Sequence, residues 1–289
     1  MTLLALSLVL ASAFAHATWN YLAKSSRDKA VFTWCFVSLS SLIYLPVAAY
    51  FAATSPVPPA GWVYVVGTML LHVAYFTLLS AAYSREDLSV VYPMARGTAI
   101  ALVPLLATLT LGERVSTVGA LSIAAIVVGV VVAHTQGFGG DAFSGLLSSF
   151  GSTGSRLALL TGVVIATYST WDKQGVSLVN PLVYNYFVFL GQSLAGAPLA
   201  VRWRKRLRDE VAERKWAILA AAVLSPLAYL LVLVALTFSQ VSYVAASREI
   251  GIVVGALLGT TLLKEPHGAN RLLGSAAIVA GVFGLALAT

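Results

Sequence analysis

The chain has 289 residues, of which 59% are hydrophobic and only 10% charged, with a formal net charge of +7. Soluble domains carry about 25% charged residues, and a soluble core of this length could not hold so much apolar surface. The composition therefore excludes a soluble globular protein and describes an all-α polytopic membrane protein. The positive charge need not mean nucleic acid, because its distribution follows membrane orientation instead. A single cysteine, Cys35, leaves no intrachain disulfide and no CxxC metal site, and its apolar setting marks it as helix packing.

Residues 2–23 form the first apolar segment. Ala13-Phe14-Ala15 mimics a signal-peptide cleavage site, but no basic residue precedes the run, so the segment reads as a retained helix. Hydropathy then predicts spans near 30–52, 61–83, 88–111 and 115–134. After a Gly- and Ser-rich stretch, further spans fall near 157–176, 181–200, 216–238, 241–263 and 268–288. Pro56-Val57-Pro58-Pro59 and Asn180-Pro181 punctuate the breaks. The total is ten helices.

The segment Tyr92–Arg114 recurs as Val244–Pro266. Arg96 falls on Arg248 (248 − 96 = 152) and Glu113 on Glu265 (265 − 113 = 152). The same shift carries Trp19 onto Trp171, Pro46 onto Pro198 and Ala124-Ala125-Ile126 onto Ala276-Ala277-Ile278. The chain is an internal duplication, with repeat 1 over 1–134, a linker over 135–156 and repeat 2 over 157–289. Five spans per repeat give the two copies opposite orientations, the inverted arrangement of alternating-access carriers.

Lys and Arg set the orientation. Loops after odd-numbered helices, with their flanks, hold fourteen: Lys24, Arg27, Lys29, Arg85, Arg156, seven within 202–215, Lys264 and Arg271. The other face holds Arg114 and Lys173. By the positive-inside rule both termini are extracytoplasmic.

HATWN (16–20), the GER turn (112–114), its KEP counterpart (264–266) and YSTWDK (168–173) together resemble the drug/metabolite transporter superfamily, in its EamA-type ten-helix branch. The resemblance covers nearly the whole chain. It implies a basket-shaped carrier of the bacterial inner membrane that exports amino acids or related metabolites. It also implies cytoplasmic termini, the opposite of the charge count. It further places the third, fourth, sixth, eighth and ninth helices along the transport pathway, with Tyr75, Tyr92, Tyr168, Tyr229 and Tyr243 on them.

Arg96 and Arg248 stand about eight residues into their helices, roughly 12 Å deep, near the middle of the hydrocarbon. A charge there costs at least about 2.5–3.5 kcal/mol, so each should face a polar cavity or a counter-charge. As ligands they suit a carboxylate, and Glu249 suits an ammonium or a pairing with Arg96; Glu249 cannot pair well with adjacent Arg248, about 100° away on the helix. His16 and His72 read as hydrogen-bonded packing, a polar cavity wall, or proton carriers. Trp19 and Trp171 lie near helix ends, where interfacial belts compete with a ligand role, and Asn20 adjoins Trp19. Tyrosine rings offer an apolar face with a polar tip.

Glu113 and Glu265 are expected to favour the positive end of the helix that follows each. The basic run 202–215 reads as a solvated orientation signal near anionic headgroups. Gly274, Gly281 and Gly284 suit close helix packing or a dimer contact, so monomer and homodimer both stay open. No GxxxxGK[ST], HExxH or cysteine cluster occurs, and no cofactor, metal or nucleic acid is expected.

The residues point to a secondary-active exporter of small amphoteric metabolites, with the lipid bilayer and a small-molecule substrate as partners. A drug or lipid-like substrate is the nearest alternative. An intramembrane enzyme would need a nucleophile and base that His16 and His72 lack, and a channel fits the inverted repeat poorly.

Overall fold

The computed structural model describes residues 1–86, 88–134, 152–254, 257 and 269–288. Among these the chain is helix and turn, in ten helices: α1 Leu3–Lys24, α2 Lys29–Thr54, α3 Pro59–Tyr83, α4 Leu88–Leu111, α5 Thr117–His134, α6 Thr153–Leu178, α7 Pro181–Arg202, α8 Arg204–Phe238, α9 Val241–Ser247 and α10 Ala269–Leu287. Most of the predicted linker, the end of the predicted ninth span, Glu265 and the KEP turn lie outside the described residues.

Among the described residues six helices are long and apolar enough to cross a membrane: α1–α4, α8 and α10. In α6 and α7 the apolar signal is diluted by polar groups that fold inward, with Asp172, Tyr184 and Asn185 all buried. Leu42, Leu70, Leu109, Leu121, Phe283 and Leu287 are bare, as lipid-facing positions should be. The chain is a multi-pass membrane protein.

Two compact units form, and neither is a sequence half. One comprises Leu8–Val73 with Trp171–Thr237; the other comprises Met1–Ser7, Ala74–Thr170 and Phe238–Thr289.

In the Leu8–Val73/Trp171–Thr237 unit, α2 packs on α7, its counterpart under the 152-residue shift. Trp34 donates its indole N–H to the Ser193 carbonyl at 3.1 Å and lies where a side chain on Gly196 would stand. Ser38 and Ser193 hydrogen-bond at 2.8 Å. Val31, Phe32, Phe36, Val188 and Phe189 fill the core with Ile218 of α8. Pro226 in α8 has no N–H and strips the Ala222 carbonyl of its helical donor. Ser40 partly fills the gap, its hydroxyl shared between that oxygen at 2.9 Å and its own Phe36 carbonyl at 2.7 Å. In hydrocarbon that repair matters, because an unmet carbonyl has no water to turn to.

The basic segment is more structured than a solvated face. It forms the first turns of α8, which begins at Arg204 instead of near 216 and bends at Arg214, where the backbone leaves helical geometry. Buried Glu210 accepts the Asp28 N–H at 3.3 Å, Arg214 reaches the Ser25 carbonyl, and Arg206 pairs with Asp28 at 3.5 Å. These contacts hold the loop after α1 against the first turns of α8.

In the other unit α5 packs along α10, again its own repeat counterpart. A Cβ added to Gly129 would stand 2.7 Å from the Gly274 carbonyl and 2.8 Å from Ile278; one added to Gly281 would stand 2.7 Å from the Ser122 carbonyl and 2.5 Å from Ile126. Gly129 and Gly281 are repeat equivalents (281 − 129 = 152), and so are Ile126 and Ile278 (278 − 126 = 152). The contact is isologous, and it runs antiparallel, since Ser122 meets Gly284 while Ala133 meets Gly274. Glycine is required here by backbone proximity. Gly281→Leu should lower the unfolding temperature in detergent, with overpacking costing about 1–3 kcal/mol. An unchanged midpoint by differential scanning fluorimetry would show that the helices can separate without loss.

The GER turn has a definite role. Gly112 adopts a left-handed φ of 66°, and Glu113 N–H reaches back six residues to the Ala107 carbonyl at 3.2 Å, which closes the end of α4. The Glu113 carboxylate then bypasses α5, the helix that follows it. It accepts the Val241 N–H at 2.7 Å, the Ser242 N–H at 3.2 Å and the Ser242 hydroxyl at 2.6 Å, capping α9 instead. The expectation of a capping acid holds in kind but names the wrong helix, because the chain reversal at Gly112 aims the side chain across the turn.

Candidate functional site

Arg96 stands in the middle of α4 and forms a two-pronged ion pair with Glu249. Nη2 to Oε1 is 2.6 Å and Nε to Oε2 is 3.2 Å. The Arg96 side chain is 16% exposed and that of Glu249 2%. A planar guanidinium matches a carboxylate in this way, and in a low-dielectric setting the pairing is far stronger than at a surface. The pair is what allows either charge to reside there.

Glu249 lies at a break. α9 ends at Ser247, Arg248 and Glu249 form a turn, and helix resumes over 250–254. The turn runs on tight i→i+3 bonds: Glu249 N–H to the Ala246 carbonyl, Gly251 N–H to Arg248 and Ile252 N–H to Glu249, at 3.1, 3.0 and 2.9 Å. The hydropathy pattern predicts one continuous ninth span, and the interruption falls on its two charged residues. Interrupted helices at membrane depth are a recurrent way of building ion and substrate sites.

Tyrosines gather on the same pair. Tyr92, one turn before Arg96, hydrogen-bonds it and lies within electrostatic range of Arg248. Tyr75 and Tyr168 meet edge to face with centroids 5.8 Å apart, both within electrostatic range of Arg96. Gly97, the repeat equivalent of Glu249 (249 − 97 = 152), faces open space, with nothing within 4 Å of an added Cβ. The acid therefore exists in one copy and room in the other. Arg96, Glu249, Tyr75, Tyr92, Tyr168 and Arg248 thus come together within one unit.

Tyr243, in the same unit, has a different engagement. It takes the Ser116 N–H on its hydroxyl at 3.1 Å and lies over Gly119, clamping the start of α5.

The other expected residues belong to the Leu8–Val73/Trp171–Thr237 unit. His16 meets Trp19 edge-on at 5.0 Å, Trp19 leans on Phe36 at 5.4 Å, and Asn20 donates to the His16 carbonyl at 2.8 Å within its own helix. Trp171 donates to the Tyr64 carbonyl at 3.0 Å and lies over Gly67. His72 contacts Thr68 through Nδ1, and its ring faces that of Tyr229 at 5.2 Å.

One residue that joins this second group is absent from the sequence-derived candidates. Asp172 is fully buried and accepts from Tyr184 at 2.7 Å and from Tyr229. It lies inside YSTWDK, where the pattern draws the eye to Tyr168 and Trp171. The signal was available, since an acid within an apolar helix is costly and rarely idle. Among the described residues no three His, Cys, Asp or Glu side chains converge as metal ligands.

Residues 152–287 match the EamA-like transporter family. A solved crystal structure superposes with a TM-score of 0.76 over 99% of this chain and 98% of its own, at 14% identity, a likeness of fold alone. No curated protein matches the sequence.

Proposed function

We propose that the protein is a secondary-active carrier in the bacterial inner membrane that exports amino acids or similar amphoteric metabolites by alternating access. The observation that carries this reading is the Arg96–Glu249 fork at the break after α9. It presents, side by side and shielded, the two charges that an amphoteric molecule needs. When such a substrate arrives, its carboxylate takes Arg96 and its ammonium takes Glu249. The internal pair opens without stranding either charge, which would otherwise cost several kcal/mol. Arg248 offers a second cationic contact, and Tyr75, Tyr92 and Tyr168 offer ring faces to an uncharged side chain. The antiparallel packing of α5 on its repeat equivalent α10 supports an inverted duplication with repeats over 1–134 and 157–289, the architecture that alternating access uses.

The edge-to-face tyrosines favour one other reading, a flat apolar cation handled at the same place. A thermal-shift screen of metabolites on the purified protein separates the two, because a bound ligand raises stability by mass action. Zwitterionic amino acids should raise the midpoint. A response confined to apolar cations would transfer the site to drug-like substrates.

Orientation is a separate proposal. The fourteen basic residues on one face place the 202–215 segment in the cytoplasm and both termini outside. With Cys35 replaced by serine, Ala212→Cys should resist membrane-impermeant thiol reagents in intact cells. Ready labelling would put the termini in the cytoplasm.

A further inference from the structure

Asp172 is surrounded on every side by groups that can handle a proton. It lies on α6 with its carboxylate fully buried. Tyr184 of α7 donates to Oδ1 at 2.7 Å, Tyr229 of α8 donates to Oδ2, and Thr68 of α3 also bonds the carboxylate. His72, one turn after Thr68 on α3, is within electrostatic range of Asp172. Its Nδ1 lies 3.1 Å from the Thr68 hydroxyl and 3.0 Å from the Thr68 carbonyl. Thr68 and Tyr184 are themselves fully buried. Neighbouring Lys173 has its amine on the Leu236 carbonyl at 2.5 Å. The titratable groups facing Asp172 are therefore His72, Tyr184 and Tyr229, from α3, α7 and α8.

The network also has an empty place for one more proton. The Tyr184 hydroxyl has a second acceptor at 3.2 Å, the Tyr64 carbonyl, which also takes the Trp171 indole N–H at 3.0 Å. When the carboxyl takes up a proton, Oδ1–H can donate to the Tyr184 oxygen while the Tyr184 hydrogen turns to Tyr64. No donor is left unmet in either state, the condition under which a buried polar network tolerates a change of charge.

We infer that Asp172, served by His72 through the Thr68 hydroxyl, is a proton-binding site that couples proton movement to transport. In the transfer, imidazolium Nδ1–H passes its proton to the Thr68 oxygen as the Thr68 hydroxyl hydrogen passes to the carboxylate. The products are neutral imidazole, an unchanged threonine and a carboxylic acid. The occupant is a proton and not a sodium ion, because the three hydroxyls aim hydrogens, not lone pairs, at the carboxylate. The coupling step rests on the reading of the chain as a secondary carrier; the proton site itself does not.

The test begins without a substrate. Difference infrared spectra of the full chain in lipid nanodiscs, taken between roughly pH 4 and roughly pH 9 to span ordinary carboxyl and imidazole titration, should show a protonated-carboxyl band on acidification. Asp172→Asn should remove it. Tyr184→Phe, which keeps the ring, should shift it, and this second variant decides the matter if Asp172→Asn does not fold. A band unmoved by both variants, or none at all, would overturn the site, and a band displaced by sodium chloride at fixed pH would assign it to sodium. In proteoliposomes an imposed pH gradient should drive accumulation of labelled amino acids at least tenfold better in the wild type than in Asp172→Asn. Equal accumulation would overturn the coupling. A titrating band with no amino acid moved at all would instead sink the proposed substrate class and leave the proton site standing.

Discussion

Arg96→Ala is expected to destabilise the folded protein by about 3–5 kcal/mol, because it strands the Glu249 carboxylate inside the protein. Its unfolding midpoint in detergent should fall accordingly, and transport measured on that variant alone would confuse misfolding with lost recognition. The double variant Arg96→Ala with Glu249→Ala separates them. Removing both charges leaves nothing buried and unpaired, so stability should return to near that of the wild type. Transport of an amino acid per folded molecule should nevertheless stay at least tenfold down, a loss of about 1.4 kcal/mol that is modest for a charged hydrogen bond. Arg96→Lys should restore transport only in part, since a point charge cannot form both prongs of the fork. A fully active double variant would make the pair a structural lock and nothing more.

The second large effect is expected away from the pair, at the turn that aims α9. Glu113 satisfies two backbone N–H groups and a hydroxyl at the start of the helix that ends in the Arg248–Glu249 break. Glu113→Ala leaves the Val241 and Ser242 N–H groups unmet in a buried place. Hydrogen bonds to a charged acceptor contribute about 1.5–3 kcal/mol each, so the loss should be on the order of 3 kcal/mol even after partial relaxation. Glu113→Gln keeps one accepting oxygen and should lose less. Chemical or thermal unfolding measures both, and an alanine variant as stable as the wild type would show that the cap is replaceable. Because Glu249 lies in the turn that follows α9, the same variant should also weaken amino-acid binding beyond what lost stability explains.

The parts of this molecule that follow from local physics were legible in the sequence. Ten apolar segments announce themselves because hydrocarbon demands them, and the 152-residue shift is read from the residues without any structure. That Arg96 needs a counter-charge follows from its depth, and Glu249 is the acid the sequence offers for it. What stayed hidden depends on tertiary pairing. The break at Arg248–Glu249 has no proline or glycine in the turn to announce it; it appears when Glu249 turns toward Arg96. Glu113 was read as serving the next helix, since sequence proximity cannot show that Gly112 turns the chain toward Val241. Asp172 was passed over because its neighbours Trp171 and Tyr168 carried the motif, and its partners Thr68, His72, Tyr184 and Tyr229 come from three other helices. Each compact unit draws on both halves of the sequence, a fact that no linear reading of residues 1–134 and 157–289 contains.

The central claim is that the Arg96–Glu249 fork recognises an amphoteric substrate in a carrier, and counterflow measures it most directly. Purified protein in liposomes loaded with an unlabelled amino acid mixture is diluted into a trace of one labelled amino acid, and internal label is followed in time. The account predicts a saturable transient accumulation above the external level for at least one amino acid, abolished in the double variant that removes both charges. Equal accumulation in that variant, or no accumulation of any amino acid by the wild-type protein, would contradict it.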